Sequence, residues 1–364
     1  MTIVLQIAGG VIILVALIDV YLTVLQGGAV ALLSNHLNRM IWRTFRWTSA
    51  YVPSRDAFLT YAGPTIIFAT VGMWVVLLLV GFALVYWPAL GDGVTASDGP
   101  TPSGFATALY VSGFSLSTLG TGDLIAQDDR YRLLMAFEAI VGFSVVTASL
   151  TYLLGVYNAI TSNNAAAAWM HHATGDRGDS VQLLCHLGPG GDFNGARGTL
   201  STMSHDLVEI VESHHTYVVL RFFRFTNPDL SLPRVALLTL DTTSLIATAL
   251  DDGAYRTLQG SAAVVQLRKG GRQLVTELAP DFIPSGMPAE EARHLDEPAW
   301  REHYRDALRA LREEGISTTA DAEAGEERYV ALRREWMPLV AAFTHYLAYD
   351  WHEVAPAQPE TRQT

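Results

Sequence analysis

The sequence predicts an all-α membrane protein with three transmembrane helices. A short re-entrant helix lies between the second and third, and a helical cytoplasmic domain follows. Three observations predict it. Charged residues make up only 16% of the 364 positions, against about a quarter in an ordinary soluble protein, and mean hydropathy is +0.23. Apolar residues gather in three long runs before residue 165. Charge gathers after it: residues 1–164 hold six Arg and eight Asp or Glu, the remaining 200 hold 18 basic and 28 acidic residues. The formal charge of −12 argues against a nucleic-acid partner, which needs concentrated Lys and Arg to displace counterions. A lone Cys185 excludes an intrachain disulfide and a multi-cysteine zinc site.

The first run, Ile3 to Leu25, is interrupted only by Asp19. Thr65 to Trp87 is the second, without charge, and ends in Tyr86-Trp87, an aromatic pair suited to headgroup level. Leu133 to Ile160 is the third and carries one acid, Glu138. Each exceeds the roughly 20 apolar residues that cross a hydrocarbon core. Between the first two lie Arg39, Arg43, Arg46 and Arg55 against a single acid, Asp56, whereas the loop after the second has Asp92 and Asp98 and no basic residue. Positive loops stay inside, so the N-terminus is expected outside and everything after the third span in the cytoplasm. Arg39, Arg43 and Arg46 share a helical face with Trp42, Phe45 and Trp47 between them. That pattern suits a helix lying on anionic lipid of the inner leaflet.

Pro88 to Pro102 is turn material. Ser103 to Ser117 is then apolar enough to leave water, but at about 22 Å as a helix it is too short to span. It reads as a half-helix that dips in and returns. Ser117-Thr-Leu-Gly120-Thr-Gly122-Asp123 follows. Glycines at alternate positions open dihedrals closed to other residues. Successive carbonyls can then face one side and replace the water shell of a cation, with a threonine hydroxyl adding one more oxygen. Asp123 at the mouth concentrates cations.

This order of span, half-helix, glycine loop and span resembles the prokaryotic pore-loop potassium channels, over about residues 60–160. Their filter follows a Thr-Val-Gly-Tyr-Gly-Asp pattern. Thr118, Gly120, Gly122 and Asp123 agree with it, Leu119 stands for the usual Val or Ile, and Thr121 for the usual aromatic. The first span is similar to the extra leading helix of some of these channels. The resemblance implies a tetrameric pore. Thr118, Leu119, Gly120, Thr121 and Gly122 would form the ion sites, Asp123 the outer mouth, and the third span the inner helix. Potassium would be the permeant ion, and the only metal. Gly142 falls where the family often has a gating glycine; close packing by a small residue is the other reading. In the family the filter aromatic packs on the pore helix, which Thr121 cannot do, so a weakly selective monovalent cation pore is the near alternative. A non-conducting membrane-anchored sensor or scaffold is the alternative from another class.

Glu138 and Asp19 are intramembrane acids and so functional candidates. Glu138 is expected to bond hydroxyls of the pore helix, such as Ser112 or Ser115. Asp19 is expected within reach of Arg39 or Arg43.

The soluble half reads as helices. Met203 to Phe225 and Leu232 to Leu250 read as amphipathic, Glu290 to Glu314 as charged, and Thr318 to Glu326 as a polar loop. Leu332, Trp336, Leu339, Phe343 and Leu347 recur at helical spacing, with Pro338 expected to kink that helix. Gly188-Pro-Gly-Gly191 lacks the third glycine of a dinucleotide fingerprint. His171-His172 and His214-His215 each point to different faces of a helix, so neither pair chelates by itself; His205 with Asp206, Glu209 and Glu212 reads as a solvated acidic face, and no catalytic constellation or cofactor motif is present. The expected organisation is residues 1–59 as first span and interfacial helix, 60–164 as pore domain, 165–354 as cytoplasmic helical domain open to a regulatory ligand, and 355–364 as disordered tail.

Overall fold

The computed structural model describes residues 2–26, 31–282 and 296–355. The last nine positions of the expected tail, and residues 290–295 of the expected charged helix, lie outside them. Among the described residues, three helices are long and apolar enough to cross a membrane. The chain divides into two units, Met1–Tyr51 with Tyr61–Asn158 and His215–Leu220, and Val52–Thr60 with Ala159–His214 and Arg221–Thr364.

In the first unit, α1 (Thr2–Tyr21) ends in a π-helical turn, Leu22–Gln26. It is followed by α2 (Leu32–Ser49); the six-residue α3 (Arg55–Thr60), counted with the second unit, precedes α4 (Ala62–Tyr86). Then come strand β1 (Val94–Ala96), α5 (Phe105–Leu116), strand β2 (Leu124–Ala126) and α6 (Asp129–Ala173). α1 and α4 cross where neither carries a side chain: a Cβ on Gly9 would lie 2.4 Å from the Gly81 carbonyl oxygen. Ile13, Ala16, Trp74, Leu78, Phe82, Val111, Phe114, Val141 and Val145 form the core. The third apolar run ends at Ile160, but α6 continues to Ala173. Ala165 to Ala168 are strong helix formers and carry it on without apolar bulk. Near its lower end Gly155 makes room for the Tyr217 ring, whose Oη would otherwise meet a Cβ at 2.3 Å.

The second unit is helical. After α7 (Ser180–Leu187) and α8 (Ala196–Thr216) come α9 (Leu232–Thr248), α10 (Asp252–Gln259) and α11 (Ala262–Phe282). It closes with α12 (Glu297–Glu313), α13 (Ala322–Tyr346) and α14 (Trp351–Val354). α9 corrects the amphipathic reading: it is buried almost all round. Its hydroxyls permit this by bonding back along the helix, Thr239 to the Val235 carbonyl at 2.7 Å, Thr242 to Leu238 at 2.7 Å and Thr248 to Ser244 at 2.8 Å. The polar stretch after Thr318 is also shorter than expected. Asp321 caps α13 by accepting from the Ala324 amide at 3.0 Å, so the helix starts at Ala322 and runs through Pro338 unbroken. α3 is held in this unit by Arg224. That guanidinium donates to Asp56 Oδ1 at 2.7 Å and lies 4.4 Å over the Tyr349 ring.

Asp241, on α9, anchors this unit. Its carboxylate accepts from Tyr329 Oη at 2.5 Å, Arg333 Nη1 at 3.1 Å, His303 Nε2 at 3.1 Å, and Ser180 Oγ. Burial alone would raise its pKa; Arg333, His303 and Ser180 overcome that and hold it well below the usual carboxylate range. Removing one partner of such a pair leaves a bare buried charge, which costs about 3–5 kcal/mol. Asp241→Asn is therefore expected to lower the melting midpoint followed by tryptophan fluorescence, since the rings of Trp300 and Trp336 lie 5.6 and 5.5 Å from the Arg333 guanidinium. Because the folded-state pKa is depressed, this contribution is complete above the ordinary carboxylate pKa of about 3.9 and is lost as pH falls below it. The melting midpoint of the wild type should fall more steeply than that of Asp241→Asn under acid titration.

Candidate functional site

The site is built on the C-terminus of α5. Ala108, Val111, Ser112, Phe114 and Ser115 are buried. The helix ends in a Schellman pair: the Thr118 amide donates to the Ser115 carbonyl at 3.0 Å and the Leu119 amide to Phe114 at 2.9 Å. The left-handed position this motif needs is held by Thr118 (φ 58°) rather than glycine, at a cost of about 1–2 kcal/mol. Gly120 (φ 60°) and Gly122 (φ 76°) are left-handed too. Every second residue of the loop thus takes a conformation that reverses the local turn. Residues 117–123 are exposed in the single chain, the apolar Leu119 at 71%.

Beyond the loop the chain is clamped. The Ser97 amide donates to the Asp123 carbonyl at 2.8 Å, and β1 pairs antiparallel with β2, with Ala96 opposite Leu124. The Thr121 hydroxyl donates to the Asp123 carboxylate, inside the loop itself.

Behind the loop, Glu138 of α6 is fully buried. Ser112 Oγ of α5 donates to its Oε1 at 2.6 Å and Tyr86 Oη of α4 to its Oε2 at 2.8 Å, so one carboxyl joins three helices. Ser112 is a partner expected from the sequence; Ser115 lies beside the same carboxyl and donates to the Met135 carbonyl at 3.1 Å. Tyr86, at the end of its span, is wholly buried against that carboxyl. Trp87 is partly exposed, and its Nε1 donates to the Ser103 carbonyl at 3.1 Å. No spacing in the sequence ties Tyr86 to Glu138, since they meet only when α4 packs on α6. Gly142, one turn below Glu138, lies where a Cβ would stand 2.0 Å from the Leu116 carbonyl oxygen. α6 is continuous there, and the glycine lets it touch the end of α5.

Asp19 is also corrected. Its carboxylate is buried and takes the Trp74 indole N–H at 2.9 Å, the Leu33 amide at 3.1 Å and the Ser34 hydroxyl. It caps the N-terminus of α2 rather than meeting Arg39 or Arg43. The positive end of a helix offers an anion unpaired N–H groups and a favourable dipole, which an arginine on the exposed face of α2 does not match. Arg39 and Arg43 are exposed there and Arg46 is half-buried, while Trp42 is buried. His205, Asp206 and Glu209 bring their ligating atoms within 4.8 Å of one another on α8, with His205 and Glu209 exposed. His171 and His172 turn to different acids, Asp229 and Asp176.

Residues 65–158 match the family model described as an ion channel, from the first turn of α4 through α5 and the glycine loop into α6. This stretch is similar to the ion-channel family over its two long helices, the short helix and the loop between them. That match encloses Thr118 to Asp123, Glu138 and Gly142 and leaves out Asp19 and the second, helical unit. The chain is also 25% identical over 235 residues to the uncharacterized membrane protein YdjJ of Bacillus subtilis (strain 168), covering 64% of this chain and 67% of that one. No solved structure matches the chain.

Substitutions at Glu138, Gly142 and Gly10 test the helix packing of the first unit. Glu138→Ala leaves two buried hydroxyls without their acceptor and is expected to destabilise by about 1–3 kcal/mol; Glu138→Gln, which keeps an acceptor, should lose less in thermal unfolding in detergent. Gly142→Ala is expected to lower the unfolding temperature. Gly10→Ala, where a Cβ meets nothing within 4 Å, should raise it slightly, by about 0.5–1 kcal/mol of helix stability.

Proposed function

We propose that four copies of the chain surround a common axis and pass potassium passively across a membrane. The carbonyls of Thr118, Leu119, Gly120, Thr121 and Gly122, with the Thr118 hydroxyl, would replace the ion's hydration shell. The observation that carries this reading is the left-handed backbone at residues 118, 120 and 122. Alternating handedness turns successive carbonyls toward one side, as a dehydrated cation requires. The C-terminal carbonyls of α5 add partial negative charge just before the loop, and Asp123 adds a full charge after it. One chain supplies one such loop, and an oxygen ring needs several around an axis. Leu119, uncovered in a single chain, gains cover from neighbouring copies. The basic segment between α1 and α4 supports an inside location for α2, with Arg39, Arg43 and Arg46 near anionic lipid, the N-terminus outside and the helical unit in the cytoplasm.

A weakly selective monovalent pore is the second reading, and the Thr121 contact favours it. That hydroxyl is spent on Asp123, so it does not tie the ring of carbonyls to α5 and fix its width. Reversal potentials in mixed potassium and sodium salts, measured on protein in liposomes, separate the two. A potential following the potassium gradient supports the first reading, and one indifferent to exchange of the two ions supports the second. A membrane-anchored sensor predicts no flux at all, and that result would overturn both. Gly120→Ala is expected to fold, since a Cβ there meets nothing within 4 Å in the chain. It should nonetheless lower flux, because a side chain at φ 60° adds about 1–2 kcal/mol of strain to a loop that already holds Thr118 at φ 58°, and turning the carbonyl away relieves it.

A further inference from the structure

Two sets of hydrogen bonds fix the register of α2 on α4. Asp19 accepts from the Ser34 hydroxyl of α2 and from the Trp74 indole of α4. One turn further along α2, Asn38 Oδ1 accepts from the Thr70 hydroxyl at 3.0 Å. Four residues forward in α2 match four residues back in α4, so the two helices run antiparallel. At about 1.5 Å per residue in both, Arg39 comes level with Ala69 and Arg43 with Thr65, where the uncharged run of α4 begins. α2 therefore descends beside a helix long and apolar enough to span instead of lying flat beneath it. It carries two guanidinium groups to the edge of the apolar layer. Both arginines are exposed, as are Met40, Trp47 and Tyr51, the last two rings meeting edge to face at 5.6 Å.

The chain does not answer these two charges. α2 holds no acidic residue, and among the described residues Arg39 and Arg43 form no ion pair. The acids that flank the helix in sequence are engaged elsewhere, Asp19 with the start of α2 and Trp74, Asp56 with Arg224 at 2.7 Å. A cation at that depth is costly unless it is paired. Residues four apart on a helix stand about 6 Å from each other, so one phosphate can accept a charged hydrogen bond from each arginine.

We propose that Arg39 and Arg43 form a single binding site for the phosphate of an anionic phospholipid, with Met40 against its acyl chains and Trp47 at headgroup level. A choline lipid is the wrong ligand, since its ammonium brings a third cation to the pair. The inference rests on the placement of α2 against anionic lipid and narrows it from a general attraction to one site made by two arginines. It does not depend on ion conduction.

Unfolding midpoints of the full-length protein in neutral detergent test it, followed against increasing dioctanoyl phosphatidylglycerol, dioctanoyl phosphatidylcholine or inorganic phosphate. A ligand that binds only the folded state raises the midpoint with its concentration. Phosphatidylglycerol is expected to raise it, and the choline lipid and inorganic phosphate are not. Arg39→Gln and Arg43→Gln alter exposed side chains, so both should keep the wild-type midpoint without lipid. Each should bind phosphatidylglycerol about tenfold more weakly, as loss of a charged hydrogen bond predicts. Arg55→Gln, also exposed but outside α2, should bind it as the wild type does. An equal loss in Arg55→Gln would overturn the site while leaving the general attraction to anionic lipid intact. An equal shift by phosphatidylcholine, or no shift with any of the three, would overturn the site and the attraction together. Inorganic phosphate acting as well as phosphatidylglycerol, or undiminished affinity in either α2 variant, would also overturn the site.

Discussion

A carboxylate cannot be left bare in an apolar interior, and three of them organise this chain. Asp19 draws together α1, the Trp74 indole of α4 and the opening amides of α2. Glu138 joins α6, α4 and α5. Asp241 gathers α7, α9, α12 and α13. In each case the acid fixes the register of helices whose apolar faces alone would tolerate sliding, because a shift of one residue strands a buried charge. Glu138 bears most directly on the stretch that matches the ion-channel family. It sets the depth of α5 against α4 and α6, and the loop 117–123 begins where α5 ends.

Glycine does two separate jobs in the first unit. Gly9, Gly81 and Gly142 sit where backbones touch, and a methyl group at any of them would collide with a neighbouring carbonyl or side chain. Gly120 and Gly122 have open space around them and are needed for their positive φ instead. Thr118 shares that conformation without glycine's freedom. Strain of this kind persists where surrounding structure over-determines it, and here the two Schellman bonds and the clamp at Asp123 hold the loop at both ends.

Much of the membrane half was legible because the bilayer imposes length and polarity rules that one sequence displays. The three spans, the short α5 between them and the Ser112 partner of Glu138 were read this way. The bond from Tyr86 to Glu138 was not legible, because an aromatic residue at the end of an apolar run does not show which acid it meets. Asp19 was misread because charge pairing is the simplest rule available, and a helix N-terminus competing for the same carboxylate is invisible until α2 is placed. In the second unit the threonines of α9 hid its burial. Hydroxyls look hydrophilic in a sequence, and only the return bonds to Val235, Leu238 and Ser244 make them compatible with a core.

By itself the sequence determined that the chain crosses an apolar layer, and that Thr118 to Asp123 hold two glycines at alternate positions next to an acid. Those properties depend on local composition and on dihedral freedom, both carried residue by residue. Only the tertiary structure decided which buried acid meets which donor, and that Gly142 serves the contact between α6 and Leu116. These depend on residues brought together by helix packing, across separations such as 52 positions for Tyr86 and Glu138, and no periodicity in the sequence encodes a distance of that kind.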